Sequence, residues 1–379
     1  MKQASYANVE DMVAALEPSY PVYCLRPRVL EASARRFLEL FPGRVLYAVK
    51  CNPHPLVLQA FHRAGIRAFD TASLPEVALV RELFDDVEAY FHHPVKGPAQ
   101  IETAHHVYDV RHYVVDHPVE LEKVRRATHG DPDVVVLVRV ATPGGFAEVD
   151  LSTKFGATPR HAAELLEAAS AHGLTTGLAF HPGSQCLSPD SYRTALEVVG
   201  EVLERTSTAI RYLDVGGGFP TSYPNMTVAP LEAFIEAIIE GRAKLDLPED
   251  CELMCEPGRA LVAEGCSLVT QVQLRKDRNL YINDGIFGSL SELVVTRIML
   301  PARALRRQGP LSRESAYFTL FGPTCDSNDV LPRHFRLPED LREGDWIEFG
   351  QVGAYSNAVA THFNGFYPET FVEIEGEGA

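Results

Sequence analysis

The chain has 379 residues, with 35 basic and 51 acidic side chains and a formal net charge of −16. Its 46% apolar and 23% charged residues are the proportions of an ordinary globular protein, which excludes a long disordered chain, a collagen and a disulfide miniprotein. No run of about 18 uncharged apolar residues predicts a membrane span, and no Lys/Arg block offers a footprint for nucleic acid.

The opening segment, MKQASYANVEDMVAALEPSY, carries acids within its apolar stretch, so it does not read as a signal peptide and a cytoplasmic location is expected. YPVYCL (20–25) is a short strand. Then short β-branched runs alternate with amphipathic helical patterns. The strand candidates are RVLYAV (44–49), IRAFD (66–70), EAYFHH (88–93), YVVDH (113–117), DVVVLVRV (133–140), TTGLAFH (175–181), RYLDVG (211–216) and CELMCE (251–256). PEVALVRELF and LEAFIEAIIEGRAKL have helical apolar spacing, and PVELEKVRRAT opens with Pro at a first helical position. Eight such repeats predict a (β/α)₈ barrel over 26–260, with a doubly wound open sheet as the rival. From 261 onward SLVTQVQLRKDRNLYIND, YFTLFG and DWIEFG predict an all-β domain that takes in residues 1–25.

The seven cysteines are odd in number and form no paired CxxC units. They read as thiols in a reducing compartment. Cys251 and Cys255 share a strand face, but nothing nearby completes a metal set, and no metal is expected.

A (β/α)₈ barrel carries its active site at the C-terminal strand ends. There the sequence places Lys50, Asp70 with Glu76 beyond it, His181, Gly216-Gly217-Gly218 and Glu256 with Arg259. Singly, each has an ordinary structural reading, such as a solvated lysine or a tight glycine turn. Together they suit pyridoxal phosphate, which needs a lysine amine, a carboxylate at the pyridine nitrogen, and glycine N–H groups with an arginine for its phosphate. The acid excess would also suit a cationic substrate.

At these residues the sequence resembles the fold-type III pyridoxal-phosphate decarboxylases, the family of ornithine, lysine, arginine and diaminopimelate decarboxylases. Nine blocks occur in the family's order: YAVKCN, FDTAS, LSTKFGA, FHPGSQ, LDVGGGFP, EPGRALV, YINDGIFGS, GPTCDSNDVL and GAYSNAVATHFNGF. The resemblance implies that Lys50 binds the cofactor covalently, supported by Asp70 and Glu76, and that His181 stacks on the ring. Ser184, Gly216, Gly217, Gly218, Arg259 and Tyr355 would hold the phosphate, and Glu256 the pyridine nitrogen. It further implies a head-to-tail homodimer with shared active sites. Cys325, which guides the returning proton, and Asp326, which faces the distal amine, would come from the other subunit. Lys154 would pair with Asp329 across the interface. Phe287, Thr296 and Phe363 would line the substrate.

GPTCDS is similar to the ornithine/lysine/arginine branch, since the diaminopimelate branch usually has glutamate where Asp326 stands. The resemblance therefore implies decarboxylation of L-ornithine to putrescine, with lysine, arginine or another diamino acid as alternatives. Diaminopimelate and carboxynorspermidine-type substrates rank below these. Two departures alter the distal pocket: Thr296, followed by Arg297, replaces an aspartate, and Phe287 replaces a common tyrosine. Glu292, one helical turn earlier, is a candidate second anion. A racemase on the same architecture is disfavoured by Glu256, where alanine racemases resemble one another in using arginine. A non-catalytic binding protein would be expected to have lost Lys50, Glu256, Arg259 or Cys325, and all four are present.

Overall fold

The computed structural model describes residues 4–376, which fall into two compact units. One comprises Ala34–Thr221 and Val228–Ala260. The other comprises the chain up to Ser33, Ser222–Thr227 and the chain from Leu261 on.

The first unit is a closed barrel of eight parallel strands: β1 (Arg44–Ala48), β2 (Ala68–Thr71), β3 (Glu88–Phe91), β4 (His112–Val115), β5 (Val135–Arg139), β6 (Thr175–Ala179), β7 (Tyr212–Asp214) and β8 (Glu252–Cys255). They pair in chain order, and β8 returns to β1 with Met254 beside Arg44. Side chains alternate across each strand. Leu46, Ala68, Tyr90, Val114, Leu137, Ala179 and Met254 make one inward layer, against which Tyr212 packs. Two residues further along each strand comes the next inward position: Ala48, Asp70, His92, Asp116, Arg139, His181, Asp214 and Glu256. The apolar layer seals the barrel, and the layer above it carries the polar groups.

The helices start where local chemistry supplies partners for their first N–H groups. Pro118–Ala127 is capped by His117, whose Nδ1 accepts from Val119 N at 3.2 Å. Leu74–Leu83 is capped by Ser73. The helix predicted to reach Leu245 ends at Arg242, because Lys244 N and Leu245 N bond three residues back, to Gly241 O and Arg242 O. That tighter winding closes the last turn. Among the described residues no helix is long and apolar enough to cross a membrane.

The second unit is a nine-stranded sheet built around Cys266–Lys276. That strand pairs antiparallel with Val22–Leu25, Asn279–Ile282 and Trp346–Phe349. Val22, Cys24, Val269, Trp346 and Val372 form its apolar core. The N-terminal strand is thus part of this sheet, as the sequence predicts. The division falls at Ser33 rather than at residue 25, because Arg26 N bonds Gly265 O and Ser33 Oγ bonds Leu261 O. Residues 222–227 join this unit through Asn225, whose side chain meets Arg297 O at 2.7 Å and Met299 N at 2.8 Å.

Candidate active site

A cavity of about 180 Å³ at the barrel mouth is lined by Lys50, Asp70, His92, Arg139, His181 and Glu256, among others. Two larger hollows, about 550 Å³ beside the segments that lead into β7 and β8 and about 530 Å³ beside the starts of β5, β6 and β7, gather no comparable set of reactive groups.

Lys50 lies in a short 3₁₀ turn directly after β1, and its Nζ meets Asp70 Oδ2 at 2.6 Å. Burial, followed by repulsion from Glu256, pushes the Asp70 carboxyl above the usual range, while Lys50 opposes the shift. Glu76 instead reaches back to Ala72 N at 2.7 Å and completes the start of its helix, so its local role is to fix the loop after β2. His181 is half-buried, and desolvation, with Arg139 and Lys50 adding to it, pulls its pKa well below the ordinary imidazole value. Its Nδ1 accepts from Gly183 N at 3.3 Å. The ring is therefore neutral at pH 7 and suited to lie flat against an aromatic cofactor.

The loops after β6 and β7 are locked together. Gln185, buried and in left-handed backbone (φ 59°), donates to Thr221 O at 2.6 Å and accepts from Thr221 N at 3.0 Å. Between these clamps lie Gly216, Gly217 and Gly218. A Cβ on Gly217 would stand 2.6 Å from Glu256 O and 3.1 Å from His181 Nε2, and one on Gly218 2.8 Å from Cys186 Sγ. Only glycine lets these backbones approach so closely. Arg259 Nη2 meets Ser184 Oγ at 3.3 Å, which brings both expected phosphate residues to the same place.

Three further groups, His92 and Asp214 buried and Arg139 half-buried, were missed from the sequence. His92 Nδ1 meets Glu256 Oε1 at 2.7 Å and lies 3.3 Å from Asp214 Oδ2. Burial pulls the His92 pKa down, but Asp214 and Glu256 outweigh it and lift the value to about 10. Arg139 is pulled down by burial and held up by Glu256, Asp116, Asp70 and Asp214. The signal that could have found these residues is the two-residue step upward from the inward apolar layer.

The remaining candidates lie in the sheet unit. Of the seven cysteines Cys325 alone is exposed, and its N bonds Asn364 Oδ1 at 3.0 Å. Asp326 Oδ1 accepts from Asn328 N at 2.8 Å and Asn328 Nδ2 at 2.9 Å. Asp329, expected to meet a partner's lysine, is buried in its own chain and accepts from Ile286 N at 3.1 Å, Thr324 N at 3.0 Å and Thr324 Oγ1 at 2.7 Å. It pins the loop that presents Cys325 and Asp326. A Cβ on Gly285 or Gly322 would overlap its carboxylate. Phe287 and Phe363 pack with ring centroids 5.1 Å apart. Thr296 is buried, and its Oγ1 donates to Glu292 O at 2.9 Å. Tyr355 is half-buried in left-handed backbone (φ 52°), a conformation costly for a bulky residue.

A lysine held by a carboxylate, a glycine cradle with an arginine, a flat neutral imidazole and a buried glutamate at a barrel mouth suit pyridoxal phosphate. The family profile described as "Pyridoxal-dependent decarboxylase, pyridoxal binding domain" matches residues 28–263. The chain is 36% identical to the lysine/ornithine decarboxylase of Selenomonas ruminantium, over 85% of this chain and 81% of that one. The solved structure of lysine/ornithine decarboxylase from Vibrio vulnificus, complexed with cadaverine, superposes with a TM-score of 0.83 at 32% identity, covering 97% of this chain and 98% of that one. The arginine decarboxylase of Paramecium bursaria Chlorella virus, bound to agmatine, gives 0.84 at 28%, covering 97% and 99%. The chain belongs to the pyridoxal-dependent decarboxylases. Its cofactor is pyridoxal 5'-phosphate, and the Gly217 approach and the buried donor set fit that group.

Proposed function

We propose that this enzyme decarboxylates L-ornithine to putrescine, with lysine and arginine as the alternative substrates. Asp326 carries this reading. It is a carboxylate on a pinned loop, beside the one exposed thiol, with one oxygen fixed by Asn328. A fixed carboxylate suits a distal ammonium or guanidinium. The relatives named for lysine, ornithine and arginine support the same substrate class.

The bound cofactor supplies the electron sink for the pair left behind as CO₂ departs. The protein's residues do the rest. Lys50 offers the amine that tethers the cofactor, and Asp70 holds that amine in place. Glu256 takes the pyridine nitrogen, because an adjacent anion favours its protonated form. Gly216, Gly217, Gly218, Ser184, Arg259 and Tyr355 take the phosphate, and His181 lies against the ring. The carbon that loses CO₂ must gain one proton, and the Cys325 thiol is its source. Cys325 and Asp326 reach the barrel site from the second subunit of a homodimer, while Phe287, Thr296 and Phe363 shape the distal end of the pocket.

The test is incubation with L- and D-ornithine, lysine, arginine and diaminopimelate, with amine products read by mass and a Lys50→Ala blank. Putrescine should be the fastest product and absent from the blank. Turnover of a dicarboxylic substrate alone would reject this reading and point to Arg297 as the residue facing the distal group.

A further inference from the structure

His92 stands at the end of β3, across the barrel from β7 and β8. It is buried, and its Nδ1 meets Glu256 Oε1 at 2.7 Å. Asp214 lies on the same side, with Oδ2 3.3 Å from Nδ1 and no hydrogen-bond donor of its own among the described residues. The other Asp214 oxygen accepts from Gly216 N at 2.8 Å, so Asp214 also fixes the first glycine of the phosphate cradle. Ligand atoms of Asp70, His92 and Glu256 lie within 4.8 Å of one another. Lys50 is engaged with Asp70. Asp214 and Glu256 therefore share His92 as the group that meets both.

Two buried carboxylates this close repel unless a cation or donor stands between them. We propose that His92 is a positioning residue for the cofactor, holding Glu256 aimed at the ring nitrogen and coupling it through Asp214 to the glycine cradle. His92 acts on the ring through Glu256. It leaves one Glu256 oxygen for the ring nitrogen and ties the two ends of the cofactor site into one network. The proposal rests on the cofactor site alone, not on which amino acid is the substrate.

The test uses the full-length chain stripped of cofactor and titrated with pyridoxal phosphate, and with the analogue in which the ring nitrogen is replaced by C–H. Both keep the aldehyde for Lys50 and the phosphate for the cradle. Wild type should prefer the nitrogen-bearing ring. His92→Ala should weaken pyridoxal phosphate by about 10- to 100-fold and the analogue by far less, which shrinks that preference. His92→Gln keeps a donor without the charge and should fall between. In a Glu256→Gln background, adding His92→Ala should cost less than about threefold, because the residue it acts through is already altered. Equal weakening of both ligands, additive losses in the double variant, or unchanged affinity in folded His92→Ala would each overturn the proposal. Should His92→Ala fail to fold, the same comparisons with His92→Gln decide. An unchanged preference in Glu256→Gln would also overturn it, by removing the partner through which His92 acts. That result would place the error in the ring-nitrogen assignment.

Discussion

Gly217→Ala probes a close backbone approach in the site. The added methyl would stand 2.6 Å from Glu256 O and 3.1 Å from His181 Nε2. A carbon and a carbonyl oxygen ordinarily meet at about 3.3 Å, so the loop and the end of β8 must part by roughly 0.7 Å. Neither neighbour yields easily. Glu256 O belongs to a barrel strand end whose N–H bonds Gly216 O at 2.8 Å, and Gly217 O is held by Tyr192 Oη at 2.7 Å. Overpacking of this kind costs about 1–3 kcal/mol. Felt at the cofactor geometry, that raises the Kd for pyridoxal phosphate about 5- to 150-fold. Felt in the free protein, it lowers Tm by about 2–4 °C per kcal/mol. Fluorescence titration of the cofactor-free chain and a thermal melt measure the two effects. Gly200→Ala is the control: it lies inside the helix Asp190–Leu203, and its Cβ would meet nothing closer than 3.4 Å. It should stabilise by about 0.5–1 kcal/mol and leave cofactor binding unchanged. A Gly217→Ala protein that melts and binds like wild type would refute the close-approach reasoning.

Three further outcomes are expected. Mixing inactive Lys50→Ala subunits with impaired Cys325→Ala subunits in equal amounts should restore about a quarter of wild-type activity, since half the dimers are hybrids with one intact site each; no recovery after demonstrated subunit exchange would place each site within one chain. His92 has a folded pKa raised to about 10, so it binds a proton in the folded state that the unfolded chain has lost. Its stabilisation is complete below the unfolded histidine value near 6.5 and is lost as pH rises towards 10. The Tm of the cofactor-free protein should therefore fall over that window, and less steeply in His92→Gln; identical slopes would show that His92 does not govern the profile. Thr296→Asp should raise kcat/KM for ornithine relative to lysine and arginine; a lower ornithine value in a folded variant would mean that the bond from Thr296 Oγ1 to Glu292 O, not the pocket, determines this residue.

The barrel was legible because its signal is local. Each strand is a short, largely apolar run, and several lead into a residue whose chemistry stands out, such as Lys50 or Glu256. The small shifts at strand ends, such as Ala68–Thr71 for the predicted 66–70, come from pairing with neighbours, which no single segment encodes. Gln185 and Asp329 were not recognised as clamps for the opposite reason. Their partners, Thr221 and the Ile286 and Thr324 amides, are far along the chain or across a loop, and a buried glutamine or aspartate looks like a surface one until its donors are known. The division at Ser33 likewise rests on contacts with residues 261–265.

Substrate choice was the least legible part, and the structure shows why. Shared chemistry sits on barrel strands, where a two-residue alternation determines which side chains face in. On the proposed reading discrimination falls to short loops such as 285–297 and 322–329, where no periodicity operates. Counting residues there places Thr296 beside the substrate, yet the chain after the helix Glu292–Val295 turns its hydroxyl onto Glu292 O, and Arg333 binds Thr296 O at 2.9 Å. A neutral hydroxyl that already donates to the backbone adds little hold on a distal ammonium. On the proposed reading Asp326 is left as the principal anion for that group, and a single anion on a pinned loop constrains charge more tightly than chain length. That is the physical reason to expect ornithine, lysine and arginine to differ in rate on this enzyme by degree, and a dicarboxylic amino acid to be rejected.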